Sequence, residues 1–219
     1  MSGSAGFLGS NLVKRLKSKQ YDVIGWDIAQ GNDVCNPNLT KDILASDWIG
    51  VDLVFHLACP VNPANYQEVA VPTMLASSVG TYNMLELARI KEAKFLYVSS
   101  SEVYGESEKL PYKEDDPGVI STQGERAYYG EAKRFGEALT MVYHHYMGLN
   151  ARIVRPFNIY GPGMRLDDTR VIPSFMRDKK KKRRLTVNDS GQSTRTFCYI
   201  DDFIEGMSRA MSYPKTNGE

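Results

Sequence analysis

Short apolar runs rich in β-branched and aromatic residues alternate along the chain with longer stretches whose apolar positions recur every three or four residues. The first pattern suits buried strands and the second amphipathic helices, so the alternation predicts βαβ units around a parallel sheet. Strands are expected near Tyr21–Asp27, Leu53–Ala58, Phe95–Ser99 and Ala151–Arg155. Leu8, Leu12 and Leu16 form one helical stripe, and Val71, Leu75, Val79, Tyr82 and Leu85 form a second. A third helix is predicted from about Ala127 to Tyr146, and the stripes containing Leu75 and Leu139 read first as core.

The character of the chain changes after Pro156. FNIYGPG is punctuated by Pro and Gly, and short mixed elements follow it, which predicts a boundary between residues 1–156 and 157–219. The first part reads as a nucleotide-binding domain and the second as part of a substrate-binding one.

Gly3, Gly6 and Gly9 open the first amphipathic helix. With no Cβ in the way, backbone amides at such a helix start can face a pyrophosphate. Tight turns and close helix packing also use glycine, so the run gains force from Asp27, placed where a second strand should end. A carboxylate there accepts hydrogen bonds from ribose hydroxyls and repels a 2′-phosphate, which favours NAD over NADP. Only Met1 and Ser2 precede Gly3, although such a turn normally follows the first, central strand. Three readings stay open: the sequence is a fragment, its start is misplaced, or another segment supplies that strand.

Tyr129 and Lys133 stand four apart in AYYGEAKR and share one helix face. A lysine ammonium beside a phenol favours the phenolate, and is expected to lower its pKa from about 10. Such a pair also occurs on ordinary surfaces. SSSEVYG, residues 99–105, begins where the Phe95–Ser99 strand ends, the edge at which an open parallel sheet gathers its ligand chemistry.

GSAGFLGSNL, HLACP, SSSEVYG, YYGEAK, RPFNIYGPG and STRTFCYIDD follow one another in an order that resembles the extended short-chain dehydrogenases acting on nucleotide sugars. The resemblance runs almost end to end. It implies an α/β fold, a Rossmann-type doubly wound parallel sheet with a small, partial substrate-binding domain, because relatives continue beyond the position of Glu219. It implies NAD as cofactor and Ser100, Tyr129 and Lys133 as the catalytic set, with Tyr129 and Lys133 also touching the cofactor. Phe7, Leu8, Leu57 and Ala58 are implied as further cofactor contacts, and Asp33 and Val34 as neighbours of the adenine. It also implies a homodimer in which the helices bearing Leu75 and Leu139 meet their copies in a four-helix bundle.

In such enzymes Tyr129 would take the proton of the 4-hydroxyl while C4 gives hydride to NAD. The residues beside Ser100 then separate three outcomes. A 4,6-dehydratase places an Asp after its threonine to protonate the departing oxygen, and Ser101 is a poor substitute. A 4-epimerase has no use for a carboxylate at the next position, which here is Glu102. Decarboxylation needs no such acid, because the C6 carboxylate is β to the C4 ketone. Glu102 and Arg195 match positions that UDP-glucuronate decarboxylases use in this phase, and a forked guanidinium suits a carboxylate substrate. HLACPVNPANY, GERAYYGEAKR and GPGMRLDDTRVIPSF lean the same way, and from them Asn158 is carried over as a diphosphate contact, Arg126 as a contact to the sugar acid and Arg170 as a nucleotide-side contact. The expectation is conversion of UDP-glucuronate to UDP-xylose. A UDP-sugar 4-epimerase, an NDP-sugar 4,6-dehydratase and a nucleotide-binding protein without turnover are the alternatives. Two departures stand out: Ser77 occupies a place where relatives usually carry Asn, and Lys179 to Arg184 form a run of six cations.

Composition narrows the setting. A hydrophobic fraction of 42% with 24% charged residues suits a globular protein, and a net charge of +1 gives no reason to expect a nucleic-acid or membrane partner. Cys35, Cys59 and Cys198 lack metal-site spacing and read as reduced thiols, so a cytoplasmic setting and no metal are expected. No apolar run approaches the roughly 20 residues that span a bilayer. His56 reads as a packed core histidine, and His144 and His145 as surface or interface residues.

Overall fold

The computed structural model describes residues 1–45, 50–60, 66–107, 110–187 and 190–219. Within HLACPVNPANY, positions 61–65 lie outside the described residues.

Strands β1 (Leu53–His56), β2 (Lys94–Val98) and β3 (Ala151–Val154) pair in parallel in that order. Parallel neighbours need long crossovers. Helices α3 (Tyr66–Leu75) and α4 (Thr81–Ile90), joined by a π turn at 76–80, connect β1 to β2, and α5 (Ala127–Met147) connects β2 to β3. Along β2, Phe95 and Tyr97 enter one core with Val54, Leu85, Ala88 and Tyr143. Leu96 and Val98 enter another with Leu12 and Leu16 of α1 (Phe7–Ser18) and Ile200, Ile204 and Met207 of α7 (Ile200–Ser212). Successive strand residues point to opposite faces, so an apolar run covered on both sides is what a doubly wound sheet requires. The expected Rossmann-type α/β architecture is the one observed. Helix α7 follows the boundary at Pro156 in sequence, yet it packs on this sheet and on α1.

The place of the first strand is held by Met1 and Ser2. Ser2 forms parallel bridges to both Trp26 and His56, with the Ser2 amide donating to the Phe55 carbonyl at 3.0 Å and the Trp26 amide to Met1 O at 2.8 Å. Among the described residues, the segment expected as a strand at Tyr21–Asp27 forms no ladder and is bridged to Ser2 at Trp26 alone.

The Val71 to Leu85 stripe also departs from expectation. Leu85 is fully buried, whereas Val71 is 65%, Leu75 45% and Tyr82 50% exposed. The π turn shifts the helical register, so the inward face is carried by Ala76, Met84, Leu85 and Ala88 instead. Leu75 is thus an exposed residue, not core, while Leu139 packs partly buried against the core.

Beyond β3, β4 (Ile159–Tyr160) pairs in parallel with β5 (Cys198–Tyr199), and α6 (Val171–Lys180) lies between them in sequence. The short helix α2 (Leu39–Ala45) precedes β1. Among the described residues no helix is long and apolar enough to cross a membrane.

Candidate active site

The loop between Gly3 and α1 brings three segments together. Gly3 has φ +70°, and a Cβ there would lie 2.8 Å from the Ala58 amide nitrogen and the Leu57 carbonyl carbon. One at Gly9 would lie 2.9 Å from the Ser4 Cα. Glycine is thus required by close backbone approach. Gly6 precedes α1 without a side-chain cap, so the first helical amides, those of Phe7, Leu8 and Gly9, are available to an anion. Asp27 is anchored beside this turn: Oδ2 accepts from the Ala5 amide at 2.9 Å and Oδ1 from the Ala29 amide at 3.0 Å. Each carboxylate oxygen keeps a lone pair for a further donor. Asp33 is exposed and accepts from the Cys35 amide at 2.8 Å, and Val34 is buried against Gly80. A glycine cradle, uncapped amides and a carboxylate with accepting capacity left fit a dinucleotide such as NAD.

At the C-terminal end of β2 the chain enters a 3₁₀ turn, 101–104, capped by Ser100, whose Oγ accepts from the Glu102 amide at 3.2 Å. The Tyr129 phenol lies within electrostatic reach of Ser100, Glu102 and Lys133. One turn along α5, Lys133 is 3% exposed and its Nζ donates to the Val98 carbonyl at 2.8 Å. Ser100, Tyr129 and Lys133 are thereby assembled at the sheet edge. Burial raises the Tyr129 pKa above its ordinary 10, against the downward pull of Lys133 and Ser100. The expected lowering is therefore corrected: the ammonium acts in the anticipated direction, but loss of hydration around the phenolate outweighs it. Burial alone would lower the Lys133 pKa, yet Cys59, Tyr97 and Tyr129 around it leave the ammonium above its usual value.

The remaining predicted residues are more open. Arg126, just before α5, sits 3.4 Å from Glu102, with side chains 60% and 47% exposed. Asn158 donates to the Thr196 carbonyl at 2.9 Å, tying the FNIYGPG loop to the segment that carries Arg195. Arg195 is exposed and donates to the Thr194 carbonyl at 2.7 Å, and Arg170 is paired with Asp168 through Nε at 2.9 Å. The structure thus gathers Ser100, Glu102, Arg126, Tyr129 and Lys133, while Arg170 and Arg195 engage their own loops.

Sequence reading missed the groups that hold this arrangement. Arg155, just after β3, forms two bonds to Glu137 at 2.9 and 2.8 Å and one to the Tyr104 hydroxyl at 3.0 Å. Glu137 lies one turn beyond Lys133 on the same face of α5, so the ion pair fixes that face over the sheet. The spacing was visible, but the partner just after β3 was not. His56 is 1% exposed, bonded to Ser2 Oγ at 2.6 Å and Thr81 Oγ1 at 3.1 Å, and burial lowers its pKa to about 3, so it is a neutral core residue as expected.

Residues 1–219 match the model of the NAD dependent epimerase/dehydratase family. The chain belongs to this family. Among curated members of the epimerase/dehydratase family it is 40% identical to UDP-glucuronic acid decarboxylase 4 of Arabidopsis thaliana, over 96% of this chain and 50% of that protein. It is 36% identical to UDP-glucuronic acid decarboxylase 6 of the same plant, over 99% of this chain and 66% of that protein. Among solved structures, UDP-glucuronic acid 4-epimerase from Bacillus cereus, in complex with UDP-glucuronic acid and NAD, superposes with a TM-score of 0.80 at 29% identity, over 99% of this chain and 73% of that one. The chain thus spans about half to two thirds of the length of the curated relatives it matches.

Proposed function

We propose that this chain carries the oxidising centre of an NAD-dependent UDP-glucuronate decarboxylase. NAD, when bound, supplies the hydride acceptor and a positive charge. Gly3, Gly6 and Gly9 with the Phe7 and Leu8 amides would hold its pyrophosphate, Asp27 its ribose and Asp33 and Val34 its adenine, with Leu57 and Ala58 as further contacts. Tyr129 removes the proton from the sugar 4-hydroxyl, which Ser100 orients, and Lys133 stabilises the phenolate. With C4 a ketone, the C6 carboxylate is β to it and leaves as carbon dioxide. Glu102 and Arg195 are the groups proposed to serve the protonation at C5 that follows; return of the hydride to C4, with Tyr129 giving its proton back to the oxygen, then balances the oxidation and yields the xylose, and Asn158 and Arg170 belong to the nucleotide side.

The observation that carries this reading is the Glu102–Arg126 pair beside the Ser100–Tyr129–Lys133 cluster. The forked donors of a guanidinium bind both oxygens of a carboxylate, which suits Arg126 to the acid group of the substrate. Identity of 34–40% to UDP-glucuronic acid decarboxylases supports the same choice. The division after Pro156 into cofactor and sugar portions is part of the proposal, as is a cytoplasmic setting, for which the three free thiols speak. The apolar residues left exposed on α3 and α4 (Val71, Leu75, Tyr82) and on α5 (Phe135, Val142, Tyr146) support a homodimer through a four-helix bundle.

Incubation with NAD and UDP-glucuronate is expected to yield carbon dioxide and UDP-xylose. The likeness to a UDP-glucuronic acid 4-epimerase supports a second reading. UDP-galacturonate as the product, with no carbon dioxide, would replace the first reading with the second.

A further inference from the structure

The loop proposed to meet the adenine takes its shape from bonds of its own. Asp33 Oδ1 accepts from the Cys35 amide at 2.8 Å and Asn36 Oδ1 from the Asn38 amide at 2.9 Å, while the Leu39 amide donates to the Asn36 carbonyl at 3.0 Å as α2 begins. Asp and Asn side chains form such turns with amides two residues on. Bonds of this kind settle how the loop is folded, but not where it stands on the protein.

Its place is set from α4. Asn83 is 6% exposed, and its Nδ2 donates to the Val34 carbonyl at 2.8 Å and to the Asn36 carbonyl at 3.1 Å. An amide nitrogen carries two hydrogens, so one side chain serves both carbonyls. Three residues earlier on the same helical face, Gly80 closes the π turn, and a Cβ there would lie 2.7 Å from Val34 Cγ2. The Val34 side chain thus rests where Gly80 has none. Leu39, at the end of the loop, is buried in one core with Leu85 and Ala88 of α4, whereas Asp33 stays exposed.

We infer that Asn83 is a positioning residue for the adenine end of the cofactor site: its two donors set where the Asp33–Val34 pair stands over α4, and Gly80 sets the clearance beneath it. This rests on the adenine lying against Asp33 and Val34, as proposed above. An ionised carboxylate accepts and cannot donate, so Asp33 suits the exocyclic amine of adenine and opposes the carbonyl that hypoxanthine carries in its place. Placement of that carboxylate is what separates the two bases.

The test compares NAD with nicotinamide hypoxanthine dinucleotide in calorimetric titrations of the full chain. The parent is expected to prefer NAD. Asn83→Ala should weaken NAD binding by roughly tenfold and that of the hypoxanthine dinucleotide by much less, so that the preference collapses. Gly80→Ala, which displaces Val34 from below while adding a better helix former, should do the same and serves if the first variant does not fold. A preference undiminished in these variants overturns the inference, and so does an equal weakening of both dinucleotides, which a merely loosened fold would give. Asp33→Ala separates this failure from that of the adenine assignment. If it keeps the parent's preference, or the parent has none, the assignment falls and the inference falls with it.

Discussion

Lys133 is 3% exposed and bonded to the β2 backbone, whereas Arg126, two helical turns away at the start of the same helix, is 60% exposed and reaches Glu102 at 3.4 Å. The contrast divides the candidate site. The half assigned to proton removal is built into the core, with Ser100 capping a turn and Lys133 fixed by Val98, so its geometry is set by folding. The half assigned to the substrate carboxylate consists of long, solvated side chains whose pairings are weak and exchangeable. Oxidation of the sugar is therefore prepared in advance, and recognition of its acid group is left to side chains that can change partners.

The largest effect should fall on the buried half. Tyr129→Phe removes the proposed base and is expected to slow C4 oxidation by about a thousandfold, measured as single-turnover conversion, with folding unchanged. Next comes the scaffold beneath it. Arg155→Ala strands Glu137 in a buried place and should cost about 3 kcal/mol in urea unfolding, because a severed buried pair leaves an uncompensated charge. A loss no larger than that of a surface pair would show that this scaffold is less rigid than the contrast requires.

A smaller effect belongs to His56. Its pKa is about 3 in the fold against 6.5 for an ordinary histidine, so between those values the unfolded chain binds a proton that the folded one refuses. Stability should then fall as pH drops below 6.5, with His56 contributing about 1 kcal/mol per unit. His56→Asn should flatten that dependence in denaturation series, and an unchanged slope would contradict the assignment. The smallest effect is expected in the exposed half: Arg126→Ala, which breaks the solvated ion pair with Glu102, should alter stability by about 0.5 kcal/mol or less.

The division between the two halves also marks what the sequence revealed. Strands β1 to β3 and helices α1 and α5 fell where the apolar pattern put them, within a residue or two, because each buries its own face. Ser100, Tyr129 and Lys133 were legible for the same reason, being placed by a strand end and a helical spacing. The Tyr21–Asp27 strand was overestimated because strand pairing depends on a neighbour as well as on the segment itself. The Leu75 stripe misled because apolar periodicity continues across a π turn that rotates the inward face. Arg155 with Glu137, and Cys59 with Ser77, join residues 18 apart in sequence, and local pattern cannot announce such pairs. The sign of the Tyr129 shift likewise required burial, which a list of neighbours in sequence does not contain.

The most direct measurement uses UDP-glucuronate carrying deuterium at C4 and ¹³C at C6, turned over once by the NAD-loaded protein. The account predicts labelled carbon dioxide whose release is slowed by the deuterium and abolished in Tyr129→Phe. Release of ¹³CO₂ indifferent to both changes, or a product that keeps its ¹³C, would contradict it.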